Sequence, residues 1–292
     1  MPIRLTRRTV LLGAVAVGVL AADPPAAAAP PAADPDIAAC EDRYGARIGV
    51  WARDLASPAT LAHRSDETFA VCSTFKVYAA ARVLQLGLDL ATPVPIAASE
   101  IVANSPVTST RVGSTMTLAE VCEAALTLSD NAAGNALLRT VGGPPAITAF
   151  ARAIGDDRTR LDRWETALNE ALPGDPRDTT SPRALSTGCE RLLVGDALDP
   201  AARDRLAGWM RATQTSGTRF RAALPPGWTS ADKTGAGDYG STNDAGLLIG
   251  PAGERVALAV LARSRDDRRD AGPYNDAIAD TVRIVLGRFG HR

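Results

Sequence analysis

Strand-patterned sequence stands only near the two ends of this chain, and a long block of helix-patterned sequence separates the two groups. Near the N-terminus, residues 46–54 (ARIGVWARD) alternate in part and carry Ile48, Val50 and Trp51, and residues 60–63 offer a returning partner. Near the C-terminus, residues 228–234, 244–249 and 255–264 have the same texture, with a Gly/Pro turn at 250–254. Residues 273–289 close the chain as an amphipathic helix. Between the groups, residues 73–87 form an Ala/Leu-rich run that Gly87 stops. Thr117 and Glu120 make a capping box before Leu118, Val121, Cys122, Ala125 and Leu126, whose spacing predicts a helix over 117–128. Segments 135–140, 145–154, 182–194 and 200–212 also favour helix. Strands must bury their apolar faces against something, and these have mainly each other. The expected fold is α/β in layers: an antiparallel sheet flanked by helices, built from both chain ends (37–65 and 213–292), with an inserted all-helical lobe (66–212).

The first residues stand outside that scheme. Residues 1–8 are basic, with Arg4, Arg7 and Arg8, and residues 9–22 (TVLLGAVAVGVLAA) are apolar throughout. That run is shorter than the roughly 20 residues that span a bilayer. A charged start, a short apolar core and an Ala-rich sequel read as a signal peptide over 1–29, with several Ala-x-Ala windows competing for cleavage. The Arg7-Arg8 pair resembles a twin-arginine export signal, so the expected location is extracytoplasmic. Residues 30–36, in a Pro/Ala stretch, read as linker. No later apolar run is long enough to span a membrane, so no stable membrane association is expected. Lys plus Arg number 32 against 33 Asp plus Glu, and this balance argues against a nucleic-acid partner. A monomer is expected. Cys40, Cys72, Cys122 and Cys189 show no Cys-x-x-Cys spacing.

His63 and His291 lack ligand-spaced companions, which excludes a histidine-rich zinc site. No phosphate loop of the GxxxxGK[ST] or GxGxxG kind occurs. Neither a metal nor a cofactor is expected. A Ser-His-Asp triad would have to use His63, which falls in a strand or its turn. A hydrolase of this composition must instead draw its bases from Lys, Glu, Asp or Tyr. Ser73-Thr-Phe-Lys76 places a hydroxyl and an ammonium on one face at a helix start, where free N–H groups add positive potential. Ser129-Asp130-Asn131 ends the capped helix with a hydroxyl and an amide in a turn. Lys233-Thr234-Gly235 sits in the first late strand, where a glycine admits close approach of a substrate.

These three pieces in this order resemble the signature of class A β-lactamases and penicillin-binding proteins. A fourth separates the two. Arg163-Trp-Glu165-Thr-Ala-Leu-Asn169, followed by Pro173-Gly174-Asp175-Pro176 and Asp178, resembles the class A omega loop, here 163–178. The resemblance covers essentially the whole mature chain and implies a β-lactam hydrolase that confers antibiotic resistance. It makes Ser73 the nucleophile and gives the oxyanion hole to the N–H groups of Ser73 and Ala236. Lys76 would assist acylation, with the choice between Lys76 and Glu165 as acylation base left open. Ser129 would relay a proton to the leaving nitrogen. Glu165, with Asn169, would activate the deacylating water. Asn131, Lys233, Thr234 and Gly235 would hold substrate, a small β-lactam carrying a carboxylate, and Arg163 with Asp178 would close the loop. The resemblance also implies a cis Glu165–Thr166 peptide. A D-Ala-D-Ala peptidase would share three motifs but lack the loop glutamate, and a β-lactam sensor domain would acylate without turnover.

The chain departs from the family in places. Ala80 stands where a disulfide partner of Cys122 would be, and Gly237 where a partner of Cys72 would be, so free thiols are expected. Thr242 replaces the strand arginine that many members use for the substrate carboxylate, and Arg219 resembles the alternative used by others. The residue before Ser105-Pro-Val-Thr108 at the cleft rim, often aromatic, is Asn104.

Overall fold

The computed structural model describes Met1 and residues 33–291, so the signal-peptide reading and the start of the linker lie outside the described residues. Helix α1 (Pro35–Tyr44) leads into strands β1 (Ala46–Asp54) and β2 (Thr60–His63). Strand β3 (Phe69–Ala70) and a 3-10 turn (Cys72–Thr74) precede helix α2 (Phe75–Gln85). Strands β4 (Pro93–Pro95) and β5 (Thr115–Thr117) lead to helices α3 (Leu118–Thr127), α4 (Asn131–Val141) and α5 (Pro144–Ala153). Strand β6 (Thr179–Thr180) and helices α6 (Pro182–Leu193) and α7 (Pro200–Arg211) follow. Strands β7 (Thr229–Ala236), β8 (Thr242–Ile249) and β9 (Arg255–Ser264) and helix α8 (Asn275–Arg288) complete the fold.

The main sheet runs β2-β1-β9-β8-β7, antiparallel throughout, so the two chain ends do share one sheet. The join is β1 with β9, in register from Ala46↔Ser264 to Asp54↔Val256. Strand β9 shows why the sheet needs cover on both faces. Its Val256, Leu258, Val260 and Ala262 pack with α1 and α8, while Ala257, Ala259 and Leu261 join the core of the helical lobe. A strand buried on both sides reads as a continuous apolar run, as RVALAVLARS does. No described helix is long and apolar enough to cross a membrane.

Local chemistry sets the helix starts. The Thr117–Glu120 capping box forms as its sequence dictates. Asp130, Ser181 and Asp199 cap α4, α6 and α7 through their side-chain oxygens. Two expectations change. Pro35 and Asp36, read as linker, open α1: Asp34 accepts the N–H groups of Asp36 and Ile37, and Pro35 pre-sets φ in the first turn. Ile37 and Cys40 then bury against the sheet, which stabilises a helix whose opening looks like low-complexity sequence. The inserted lobe is also not all helical, because β3 pairs with β6 and β4 with β5. The β3–β6 ribbon brings the segment before Ser73 beside the end of the 163–178 loop.

Candidate active site

Helix α2 is the centre of the helical lobe. Val77 to Ala81 and Val83 are all buried, and a helix apolar on every side belongs inside. Its N-terminus reaches the boundary with the sheet, carrying Ser73 in the 3-10 turn and Lys76 in the first helical turn. Cys72, Asn104 and Ser129 adopt left-handed φ of 45°, 58° and 57° around this point. Such backbone is disfavoured for side chains with a Cβ and persists where the surrounding structure enforces it, commonly at functional sites.

Lys76 is fully buried, and its ammonium donates to Ser73 Oγ at 2.9 Å, Ser129 O at 2.8 Å and Asn131 Oδ1 at 2.6 Å. Glu165 Oε1 lies 3.0 Å from Lys76 Nζ and accepts from Ser73 Oγ at 3.2 Å. The nucleophile is thus bracketed by an amine and a carboxylate. Burial pulls the Lys76 amine below its ordinary range, and Glu165 opposes that shift. Gly134 makes the approach possible: a Cβ there would stand 2.7 Å from Lys76 Cε. A glycine inside a helix costs about 1 kcal/mol against alanine, and here it leaves room for the lysine stem.

Glu165 is held by its backbone as well as its side chain. Asn135 on α4 accepts the Glu165 N–H and donates to the Glu165 carbonyl, both at 2.9 Å. Asn169 Nδ2 donates to Glu165 Oε2 at 2.5 Å, and the Glu165–Thr166 peptide is cis, as the resemblance implies. The loop base is closed by Asp178, which accepts the N–H groups of Asp162 and Arg163 and pairs with Arg163 Nε at 2.6 Å.

Strand β7 is the sheet edge that faces this cluster. Lys233 is fully buried and donates to Ser129 Oγ at 3.0 Å; burial, then Lys76, hold its amine well below the ordinary range. Thr234 Oγ1 lies 2.6 Å from Thr215 Oγ1. Arg219 donates through Nη1 to Gly235 O and Asn243 O, and through Nε to Asn275. Thr242, in the place of the missing strand arginine, is buried and donates to Gly240 O. Beyond Ala236 the strand closes on the loop: Asp238 N donates to Asn169 O, and a Cβ on Gly237 would meet that same oxygen at 2.7 Å.

A cavity of about 390 Å³ opens over these groups. Ser73, Ser129, Asn131, Asn169, Arg219, Thr234, Gly235 and Ala236 line it, with Asn104 at the rim. Lys76, Glu165 and Lys233 are buried around Ser73 and Ser129, so the residues to which the sequence gives a catalytic or substrate-binding role belong to one cluster. Asn135, Gly134 and Thr215 were not singled out. Asn135 lies four residues after Asn131, one turn along the same face, and that spacing was the available signal.

All four cysteines are free and buried. Burial pushes the Cys72, Cys122 and Cys189 thiols up to about 12 and raises Cys40. Little thiolate forms at neutral pH, so native protein should react slowly with a thiol reagent, whereas denatured protein should titrate four thiols. Two disulfides found on titration would contradict this.

A sequence model described as the β-lactamase enzyme family matches residues 32–289. The chain is 46% identical to β-lactamase AST-1 of Nocardia asteroides over 88% of this chain and 84% of that protein. It is 43% identical to a β-lactamase of Streptomyces lavendulae over 98% of each. Among solved structures, the β-lactamase of Streptomyces albus G superposes with a TM-score of 0.84 at 43% identity, covering 87% of this chain and 97% of that one. A mutant of the class A β-lactamase of the last common ancestor of Gram-negative bacteria gives 0.84 at 44% identity over 88% and 98%. The geometry around Ser73 and these matches lead to one assignment: the chain belongs to the β-lactamase enzyme family, in its class A branch.

Proposed function

We propose that β-lactam hydrolysis by this chain runs through a covalent acyl-enzyme on Ser73 and is completed by water activated at Glu165. The observation that carries the reading is the double contact of Ser73 Oγ, with Lys76 on one side and Glu165 on the other. In acylation Ser73 Oγ bonds to the lactam carbonyl carbon and gives up its proton to the Lys76–Glu165 pair. The N–H groups of Ser73 and Ala236 hold the oxyanion. Ser129, hydrogen-bonded by Lys233 and within reach of Lys76, hands a proton to the ring nitrogen as the C–N bond breaks. In deacylation Glu165, oriented by Asn169, takes a proton from water. That water adds to the ester carbon, and Ser73 regains its proton as the C–O bond breaks. Lys233, Thr234, Gly235, Arg219 and Asn131 receive the substrate carboxylate and amide.

The Lys-Thr-Gly strand supports an anionic substrate because Lys233 and Arg219 stand close behind it. Purified mature protein should turn over nitrocefin in the presence of EDTA; no turnover, or a single burst without turnover, would favour a sensor or peptidase. We read the lobes as 37–65 with 213–292 and 66–212, and the enzyme as a monomer without nucleic-acid or membrane partners. The basic start and apolar core at 1–29 support export, and Arg7-Arg8 supports the twin-arginine route. Arg7→Lys with Arg8→Lys should abolish extracytoplasmic activity while leaving enzyme in the cytosol; unchanged export would remove that route.

A further inference from the structure

The two N–H groups that would hold the oxyanion belong to different layers of the molecule. Ser73 N is carried by the 3-10 turn Cys72–Thr74, ahead of the core helix α2. Ala236 N is carried by the last residue of β7, at the edge of the main sheet. An oxyanion hole is effective only when both donors are aimed in advance at one point. The turn must therefore be fixed against the strand.

Packing fixes the distance between them. The fully buried Cys72 rests against the chain on both sides of Ala236. A Cβ on Gly235 would stand 3.1 Å from Cys72 Cβ, and a Cβ on Gly237 would stand 3.0 Å from Cys72 Sγ. Van der Waals contact of this kind limits how near the two segments come but gives them no direction.

Hydrogen bonds give the direction. Val71 N donates to Asp178 O, and Val71 O accepts from the Thr74 N–H and hydroxyl, so these bonds stay within the helical lobe. The link to the sheet is Asn243 on β8, which is buried and stands opposite Gly235 in the register. Asn243 Nδ2 donates to Ala70 O at 2.8 Å and to Val71 O at 3.3 Å. Among the described residues, no other hydrogen bond joins residues 69–74 to β7 or β8. Asn243 Oδ1 is buried without a partner, so the amide is held through its nitrogen alone. On the strand side, Arg219 Nη1 donates to both Gly235 O and Asn243 O and fastens the two strands at this rung. A continuous path of bonds thus runs from the residue before Ala236, through the Asn243 amide, to the residues just before Ser73.

We propose that Asn243 is a positioning residue for catalysis, whose amide sets the spacing and aim of Ser73 N relative to Ala236 N. It does not line the cavity. This rests on the reading that those two N–H groups hold the oxyanion. Acylation and deacylation both pass through a tetrahedral oxyanion, so a displaced donor slows both. That separates Asn243 from Glu165 and its loop, whose loss falls on deacylation. Losing one donor outright costs about 10²–10³-fold in kcat. Mis-aiming one should cost less, about tenfold on each step.

Two variants test this. Asn243→Leu keeps most of the volume and removes both bonds, and Asn243→Ser leaves a hydroxyl too short to span both carbonyls. The readout that separates aim from stability is spectroscopic, because donors in the hole polarise the ester carbonyl and lower its stretching frequency. Benzylpenicillin isotopically labelled at the lactam carbonyl, trapped on Glu165→Ala protein, gives that band in infrared difference spectra. The band should move to higher wavenumber, or split, when either Asn243 substitution is added. With Glu165 intact, single-turnover acylation and deacylation rates should fall by similar factors. An unmoved band, even with a lowered Tm, would overturn the proposal and make Asn243 a packing residue. Slowing confined to deacylation would overturn it as well. A band in the Glu165→Ala protein no lower than that of the same adduct after denaturation would instead sink the oxyanion-hole reading. If Asn243→Leu does not fold, Asn243→Ser carries both measurements.

Discussion

Glu165→Ala protein mixed with benzylpenicillin should gain the mass of one intact drug molecule at Ser73 and hold it. The ester on Ser73 needs a base to activate water, and Glu165 with Asn169 presents one from a loop outside α2. General-base assistance is typically worth about 10²–10⁴-fold, so its loss should slow deacylation enough to trap the adduct. Acylation should suffer less. Lys76 Nζ keeps its hydrogen bond to Ser73 Oγ at 2.9 Å without Glu165. The buried amine also loses the carboxylate that was opposing its downward shift, which favours the neutral form able to take the serine proton. Intact-protein mass spectrometry over a time course reads both steps. Ser73→Ala should show no adduct. Turnover near the parent rate with no adduct would remove Glu165 from the mechanism. An equal loss of both steps would make Glu165 the acylation base as well.

Much of this site was legible in the sequence because its chemistry is concentrated in short strings. Ser73 and Lys76 are one helical turn apart, Ser129 and Asn131 flank one N-cap, and Lys233 to Gly235 are consecutive. A helical or strand period converts each string into a local geometry without further information. The strand pattern at both ends likewise constrained the sheet, because β1 finds its longest partner in β9.

The groups that were not legible act through the fold. Asn135 grips Glu165 across 30 residues of sequence. Its one local sign is its place one helical turn after Asn131 on the same face, which many polar residues on a helix surface share. Helix α1 opens inside a Pro/Ala-rich stretch, and its place is fixed by burial of Ile37 and Cys40 against a sheet assembled from distant segments. The resemblance gives Arg219 only a role toward the substrate carboxylate. Its Nε and Nη1 hydrogen bonds to interior acceptors give it a structural share as well.

Asp178→Ala should lower stability and slow deacylation together. Asp178 is almost fully buried, yet its two oxygens accept the N–H groups of Asp162 and Arg163 and the Arg163 guanidinium. Truncation leaves those donors facing a void and strips a half-enclosed arginine of its main partner. Breaking a buried pair from one side costs about 3–5 kcal/mol. For a domain of this size that corresponds to a fall in Tm on the order of 10 °C. Glu170 also pairs with Arg163 at 2.7 Å, but it stands in solvent and substitutes poorly for the buried carboxylate. The catalytic consequence follows from where each group is anchored. Ser73 and Lys76 belong to the core helix α2, whereas Glu165 and Asn169 are carried by the loop that Asp178 closes. Loosening the loop should therefore leave acylation largely intact and let the acyl-enzyme accumulate, a weaker version of the Glu165→Ala result. Asp178→Asn retains an acceptor for the two main-chain amides but sets an amide against the guanidinium, so it should fall between the parent and Asp178→Ala in both measurements. Calorimetry gives the first quantity and time-resolved mass spectrometry the second. An unchanged Tm would show that the loop does not depend on the Arg163–Asp178 pair. A lowered Tm with an unchanged deacylation rate would show that Asn135 and the packing of Leu168 hold Glu165 in place without it.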